Sequence, residues 1–189
     1  PVGEELEVNS KSRELFLNTL NILSESKFIN NVYILSSQSD LIVNNESWIS
    51  RDEIIDIDDF GVDKLMQQSL KIIESRGNYP SLLLYINYDY LYRIRSILDD
   101  LVVDRQYNGY NTVFPGYIDY GHYWFKGKDG DFIQNESMLD SRDNRDPTYA
   151  ALYGQGCLTS VSNIRKGVMI DGRIGIIPIK DYKYTLRNK

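Results

Sequence analysis

Helical and strand-like hydrophobic patterns alternate along the first half of the chain. Apolar residues recur at helical spacing between Ser12 and Lys27 and predict a first helix. A short continuous apolar block in Asn31 to Ser36 predicts a strand that is covered on both faces. A second helix is predicted from Val62 to Ile73, with Gly77 just past its end. Leu82 to Ile86 then reads as a second buried strand.

The same alternation continues toward the carboxyl terminus. Ser96 and Asp99 form a possible capping pair in front of a third helix. The order of helices and strands predicts an α/β fold with a mainly parallel, Rossmann-like sheet, flanked by helices and joined by right-handed crossovers. The further elements expected are a strand at Thr112 to Pro115, a weak continuation of the parallel pattern at Leu152 to Leu158, a capped helix at Ser160 to Lys166 and a strand at Ile174 to Ile179.

The region from Gly116 to Asp146 breaks this pattern. Tyrosines, a tryptophan and a phenylalanine are separated by glycines there, and Lys128 to Asp131 has the composition of a turn. We therefore expect an antiparallel hairpin or an irregular flap, inserted into a single domain that spans residues 1–189. Aromatic side chains of this kind can stack on sugar rings or fill the groove of a partner protein.

Composition narrows the classes of function. The chain has 21 basic and 27 acidic side chains, a net charge of −6, which argues against a general nucleic-acid binder. Cys157 is the only cysteine and His122 the only histidine, which excludes internal disulfides, cysteine-based zinc cages and cysteine–histidine nucleophile systems. The sequence contains no apolar run long enough for a membrane span and no signal peptide, so we expect a cytoplasmic protein without a membrane partner.

Asp89 is the first candidate for chemistry. It follows the buried strand Leu82 to Ile86, and open α/β sheets bind their ligands at the carboxyl ends of their strands. Arg93, four residues later, could pair with a phosphate or a carboxylate through its planar guanidinium. The alternatives are that Asp89 is a turn-forming acid and that Arg93 is a solvated side chain.

Several segments follow one another in a recognisable order. They are Asn31 to Ser37, Arg51 to Ile55 followed by Asp58, the leucine-rich strand leading to Arg93, and Arg142, Pro147, Tyr149 and Gly156. In order and spacing this resembles the acylneuraminate cytidylyltransferases, sugar nucleotidyltransferases of the GT-A type fold. The resemblance implies transfer of CMP from CTP to an acidic sugar, with release of pyrophosphate.

The chain also departs from the family pattern. Members of the family open with a strand and a basic, glycine-rich loop that cradles the triphosphate, whereas this sequence starts at Pro1. Val2 to Glu5 carries two carboxylates that would repel phosphates. We therefore expect either a sequence trimmed at its amino end, which the abrupt start favours, or a degenerate relative. Asn87 to Tyr90 replaces the family's strand-end motif and is nearer to related sugar nucleotidyltransferases, whose aspartate at this point binds magnesium.

The resemblance implies roles for individual residues. Asp89 and Asp181 would be the catalytic residues and would hold Mg²⁺, which prefers hard carboxylate ligands. Thr185 stands where a second acid after Asp181 is expected. Asp181 has an alternative interpretation, as the amino-terminal cap of a helix from Tyr182 to Leu186. The implied substrate-binding residues are Asn87, Arg93, Arg142, Arg145 and Tyr149.

Other interpretations remain open beside the enzyme. Arg142 and Arg145 could belong to a surface ion network with Asp140, Asp143 and Asp146. A catalytically lapsed relative could act as a sugar-binding or assembly module, and a GT-A type glycosyltransferase could use Asp89 for the metal of a nucleotide-sugar donor. The resemblance further implies a homodimer in which Gly116 to Phe132 is the dimer arm. CTP turnover would separate the cytidylyltransferase from the glycosyltransferase.

Overall fold

A computed structural model of the chain describes residues 10–36, 48–50, 61–134 and 141–188. The segments Val2 to Glu5 and Arg51 to Asp58 lie outside the described residues, as does the acid Asp140. Within the described ranges, no helix is both long and apolar enough to cross a membrane.

The elements alternate much as the sequence predicts. The helices are α1 (Ser10–Glu25), α2 (Val62–Ser75), α3 (Ile97–Asn108) and α4 (Val161–Arg165). The strands are β1 (Ile34–Ser36), β2 (Trp48–Ser50), β3 (Leu82–Tyr85), β4 (Thr112–Asp119), β5 (Trp124–Lys126), β6 (Phe132–Gln134), β7 (Thr148–Ala151), β8 (Cys157–Ser160) and β9 (Ile174–Ile179). Short 3₁₀ helices lie at Arg142–Asn144, Tyr153–Gln155 and Tyr182–Thr185.

The main sheet is built around β4. One edge of β4 pairs with β8 at Thr112 and Val113, and with β7 from Gly116 to Asp119, both antiparallel. Its other edge pairs along its length with β9 in parallel, and β3 pairs with β8 antiparallel. Strands β3, β4 and β9 therefore run in one direction, and β7 and β8 run against them.

The expectation of an α/β fold is confirmed, but the main sheet is mixed and the mainly parallel sheet is not confirmed. The segment Leu152–Leu158 does not continue a parallel pattern. It passes through the 3₁₀ helix Tyr153–Gln155 and then forms β8, which lies antiparallel between β3 and β4. A continuous apolar run signals burial on both faces, and it carries no information on strand direction. The pair β1 and β2 is parallel and forms a separate sheet.

The core lies on both faces of the main sheet. Leu82 and Leu84 of β3 pack in a cluster with Leu101 of α3, whereas Leu83 and Tyr85 pack in a cluster with Leu70 of α2. This alternation follows from the pleat, which sends successive side chains to opposite faces. Strand β3 is thus held between two helical layers, and its carboxyl end has a fixed position.

The predicted hairpin is present in the inserted region. Strands β5 and β6 are antiparallel, with Trp124 opposite Gln134, and Gly130 takes a positive φ of 91° in the turn. The hairpin has exposed apolar residues on both strands, and Trp124 and Phe132 are 55% and 68% exposed. Whether this hairpin is a dimer arm stays a prediction.

The predicted capping pair before α3 has another role. Ser96 makes no side-chain cap hydrogen bond. Asp99 instead accepts a hydrogen bond from the hydroxyl of Ser26 (2.6 Å) and one from the backbone N–H of Lys27 (3.2 Å). The carboxylate therefore joins the end of α1 to the start of α3.

Candidate functional site

The loop after β3 lies against the 3₁₀ helix Tyr153–Gln155. The backbone N–H of Asn87 donates to the carbonyl of Gly154 over 2.9 Å. A Cβ atom at position 154 would lie 2.9 Å from Cβ of Asn87 and 2.7 Å from the ring of Tyr90. Glycine at this position therefore permits the close approach that sets the path of the loop.

Asp89 is held by the carboxyl-terminal segment of the chain. Its Oδ2 accepts a hydrogen bond from Nε of Arg187 (2.7 Å) and a second from Nη2. The backbones are joined as well, since the N–H of Leu91 donates to the carbonyl of Leu186 and the N–H of Asn188 donates to the carbonyl of Asp89. The side chain of Asp89 is 17% exposed, and its Oδ1 is buried without a hydrogen-bond partner.

Tyr90 supports this ion pair. Its side chain is buried, and the guanidinium carbon atoms of Arg187 and Arg93 lie 5.3 Å and 5.7 Å from the ring centre. Both distances are typical of cation–π contacts. Burial is the largest cause of the raised pKa of the Tyr90 hydroxyl, so this side chain is neutral at physiological pH.

Arg93 is partly buried. Its Nε donates to the hydroxyl of Thr19, and its Nη1 donates to the carbonyls of Gly154 and Gln155, over 3.0 to 3.3 Å. Its Nη2 is buried without a partner. Burial lowers the pKa of Arg93 to about 10. The side chain joins α1 to the loop before β8, and its role in substrate binding stays a prediction.

Gln155 connects the loop after β3 to the carboxyl-terminal segment. Its side chain is 2% exposed, and Nε2 donates to the carbonyls of Tyr92 (2.7 Å) and Tyr184 (2.8 Å). Its Oε1 is buried without a partner. The hydrogen bonds of Gln155 thus connect the loop after β3, the 3₁₀ helix Tyr153–Gln155 and the carboxyl-terminal segment.

Asp181 caps the last 3₁₀ helix, as the alternative interpretation predicts. Its carboxylate accepts from the backbone N–H of Lys183 (3.0 Å) and forms an ion pair with the ammonium of the same residue (2.8 Å). The hydrogen bond from the Lys183 side chain is the largest cause of the lowered pKa of Asp181. Both predicted catalytic carboxylates therefore have a cationic partner from residues 183–187.

These residues do not fit a two-carboxylate magnesium site. Oδ2 of Asp89 is bonded to Arg187, and the carboxylate of Asp181 is paired with Lys183. Only the buried Oδ1 of Asp89 is available as a ligand atom at that residue. Across the described part of the chain, no three His, Cys, Asp or Glu side chains are grouped so that they could hold a metal ion. Magnesium stays a prediction, and no chemical step below passes through it.

A second group of predicted residues lies near the hairpin. An open concavity of about 330 Å³ is lined by residues 117–121 and by Arg142. The guanidinium of Arg142 lies 5.1 Å from the ring centre of Tyr120. Asp119 accepts hydrogen bonds from the Tyr123 hydroxyl and from the backbone N–H of Gly121, and the Tyr123 bond is the largest cause of its lowered pKa.

Arg145 and Tyr149 follow the concavity in sequence. Nε and Nη1 of Arg145 are buried without hydrogen-bond partners. Tyr149 lies on β7 opposite Ile118 of β4, and it is partly exposed. Among the residues that the structure describes, no acidic side chain forms an ion pair with Arg142 or Arg145. Asp140 lies outside the described residues. The surface ion network is therefore not supported there.

Sequence reasoning missed Arg187 and Gln155. Arg187 is 98 positions from Asp89, and Gln155 is 63 positions from Tyr92. Neither belongs to a motif of defined spacing, so nothing in the sequence connects them with the loop after β3. Only the position of Asp89 at a strand end pointed to this region.

Comparison with known proteins shows a similarity in structure but no match in sequence. No family model matches the chain, and no curated protein matches it closely enough to count as a relative. The solved structure of 4-diphosphocytidyl-2C-methyl-D-erythritol synthase from Anaerococcus prevotii is similar, with a TM-score of 0.56 and 9% sequence identity. The match covers 94% of this chain and 79% of that chain. At this identity the likeness shows only that the chain shares the fold of that enzyme. None of these comparisons shows that the chain belongs to the acylneuraminate cytidylyltransferases.

Proposed function

We propose that this chain is a cytidylyltransferase-like domain that transfers CMP from CTP to an acidic sugar. The observation that carries the proposal is the structural likeness over 94% of the chain to an enzyme named for a diphosphocytidyl product. The position of Asn87 and Asp89 at the carboxyl end of β3 supports it, since that end is where open α/β sheets bind ligands.

The reaction sets clear requirements. A hydroxyl oxygen of the sugar attacks the α-phosphorus of CTP and loses its proton to solvent, the bond from that phosphorus to the bridging oxygen breaks, and pyrophosphate leaves with the electron pair. The protein must align the attacking oxygen and stabilise negative charge on the transferred and leaving groups. In our proposal Asn87 and the solvent-exposed side of the Arg187 guanidinium face the nucleotide.

The second substrate would bind near the hairpin. Arg145 has unpaired Nε and Nη1 donors, and Arg142 lines a concavity of about 330 Å³. These Arg145 donors are buried, whereas Arg142 is exposed and its guanidinium can donate to the oxygens of a carboxylate. An acidic sugar would therefore place its carboxylate at Arg142 and its ring against the aromatic residues of the concavity, with Tyr149 orienting a hydroxyl.

Pyrophosphate release tests the proposal. The chain is assayed with CTP, magnesium and a panel of acidic sugars, and UTP serves as the control nucleotide. We expect CTP-dependent release, and in Arg142→Gln a KM for the sugar that is raised about tenfold with kcat little changed. Arg165→Gln is the matched control, because Arg165 forms an exposed ion pair with Glu74 away from the site. Absence of both CTP binding and pyrophosphate release would overturn the proposal.

An assembly module is the second candidate. It is favoured by the pairing of Asp89 and Asp181 with cations of the chain itself, and by the exposed apolar residues of β5 and β6. In this proposal the chain keeps the fold, pairs with a second copy through the hairpin and does not turn over CTP. A protein that dimerises through β5 and β6 but releases no pyrophosphate would support it.

A further inference from the structure

The ion pair between Asp89 and Arg187 is built into the fold. Backbone hydrogen bonds from Leu91 to Leu186 and from Asn188 to Asp89 flank the pair on both sides. The side-chain amide of Asn188 also donates to the hydroxyl of Ser12, 3.2 Å away. The position of Arg187 is therefore set by main-chain contacts and does not depend on the ion pair alone.

Burial makes a cation necessary at this position. The carboxylate of Asp89 is 17% exposed, and a carboxylate removed from water is costly unless an opposite charge compensates it. Two kinds of cation could do so, a bound metal ion or a side chain. In this chain the guanidinium of Arg187 bonds Oδ2 and lies over the ring of Tyr90.

The guanidinium keeps unused donors on its outer side. Nε and Nη2 of Arg187 contact Asp89, whereas the side chain as a whole is 51% exposed. A guanidinium has N–H groups on all three nitrogens, so further donors can reach a phosphate oxygen from the solvent side. Asp89 thus orients a cation that faces outward at the carboxyl end of β3.

We propose that Arg187 is the fixed cation of this centre, taking the place that the resemblance assigns to magnesium, and that a nucleoside triphosphate binds here as a metal-free anion through it. The nucleotide half of this inference rests on the proposed function. The half that concerns the charge on Asp89 does not, and the two are tested separately.

Magnesium titration tests the first half without any nucleotide. MgCl₂ alone is titrated into the full chain by calorimetry, and melting temperatures are measured with and without it. We expect no saturable binding and no change in the melting temperature of the unsubstituted chain. Stoichiometric magnesium binding that Asp89→Asn abolishes would overturn the inference, because Asp89 would then be a metal ligand.

Substitution of Arg187 supplies an independent readout. We expect Arg187→Gln to lower the melting temperature and Arg187→Lys to restore part of the loss, whereas Arg165→Gln has little effect because the Arg165 side chain is 58% exposed. Circular dichroism checks that each variant is folded. An Arg187→Gln chain as stable as the unsubstituted one would show that Asp89 needs no fixed cation, and it would overturn the inference. If Arg187→Gln does not fold, the titration of the unsubstituted chain and of Asp89→Asn still decides.

CTP affinity tests the second half. We expect the same dissociation constant within about twofold in EDTA and in magnesium, and about tenfold weaker binding in Arg187→Gln than in Arg165→Gln. Binding that disappears in EDTA would overturn the metal-free mode. No CTP binding under either condition would overturn the proposed function and the nucleotide half together, whereas the magnesium titration would still decide how Asp89 is neutralised.

Discussion

Arg93 illustrates how a charged side chain beside a strand end becomes partly buried. Its guanidinium donates to a hydroxyl and two carbonyls and lies over the ring of Tyr90, and these acceptors carry no formal charge. Carbonyl oxygens satisfy guanidinium donors without cancelling the charge, which agrees with the pKa of Arg93 falling to about 10 through burial. The sequence marks Arg93 as a candidate for anion binding, because position and residue type do not reveal which backbone oxygens lie nearby.

Removing this side chain should destabilise the fold. In Arg93→Met the hydroxyl of Thr19 and the carbonyl of Gln155 lose a donor, and buried acceptors without partners are costly. The carbonyl of Gly154 loses one of its two donors and keeps the N–H of Asn87. We expect the free energy of unfolding to fall by about 2 to 3 kcal/mol, measured by urea denaturation. Arg165→Gln should change it by less than about 0.5 kcal/mol, as surface ion pairs do. Equal effects in the two variants would show that the interior contacts of Arg93 contribute nothing.

At the scale of elements, periodicity locates helices and strands well. The first helix is predicted from Ser12 to Lys27 and observed as Ser10–Glu25, and the strand Ile174–Ile179 has the predicted bounds. Strand direction is not accessible in the same way. The residues paired with β8 lie 72 to 78 positions upstream on β3 and 45 to 47 positions upstream on β4, so the insertion of β8 between them depends on tertiary packing.

The hydrogen bonds of Asp119, which ends the strand before the hairpin, should change at low pH. Asp119 has a pKa below its ordinary value of 3.8, chiefly because it accepts a hydrogen bond from Tyr123. A carboxylate whose pKa is lowered in the folded state stabilises the fold above its unfolded pKa, and this contribution is lost as the pH falls through the folded pKa. We therefore expect the Gly121 amide resonance, which reports its bond to Asp119, to shift below pH 3.8, as followed by NMR. The shift should be absent in Asp119→Asn, and its persistence there would assign the titration to another group.

At the scale of the whole molecule, the hairpin of β5 and β6 joins no larger sheet among the described residues. Two-stranded hairpins are at best marginally stable in water on their own, and β5 and β6 pair only with each other among the described strands. Their exposed apolar side chains include Trp124, Phe125, Phe132 and Ile133. A second copy of the chain would cover these side chains, which agrees with the dimer arm that the sequence predicts.

Dimerisation can be tested without disturbing the core. Trp124→Ser with Phe132→Ser removes two exposed apolar side chains, and each apolar side chain buried at an interface contributes about 1.5 to 3 kcal/mol. We expect the unsubstituted chain to sediment as a dimer and the double variant to dissociate at concentrations at least about a hundredfold higher. Tyr107→Ser is the control, since Tyr107 is the same kind of exposed aromatic residue on α3. A monomer at all concentrations, or an equal loss in Tyr107→Ser, would remove the hairpin as the contact between copies. The apolar side chains would then have to face a sugar or another part of the polypeptide.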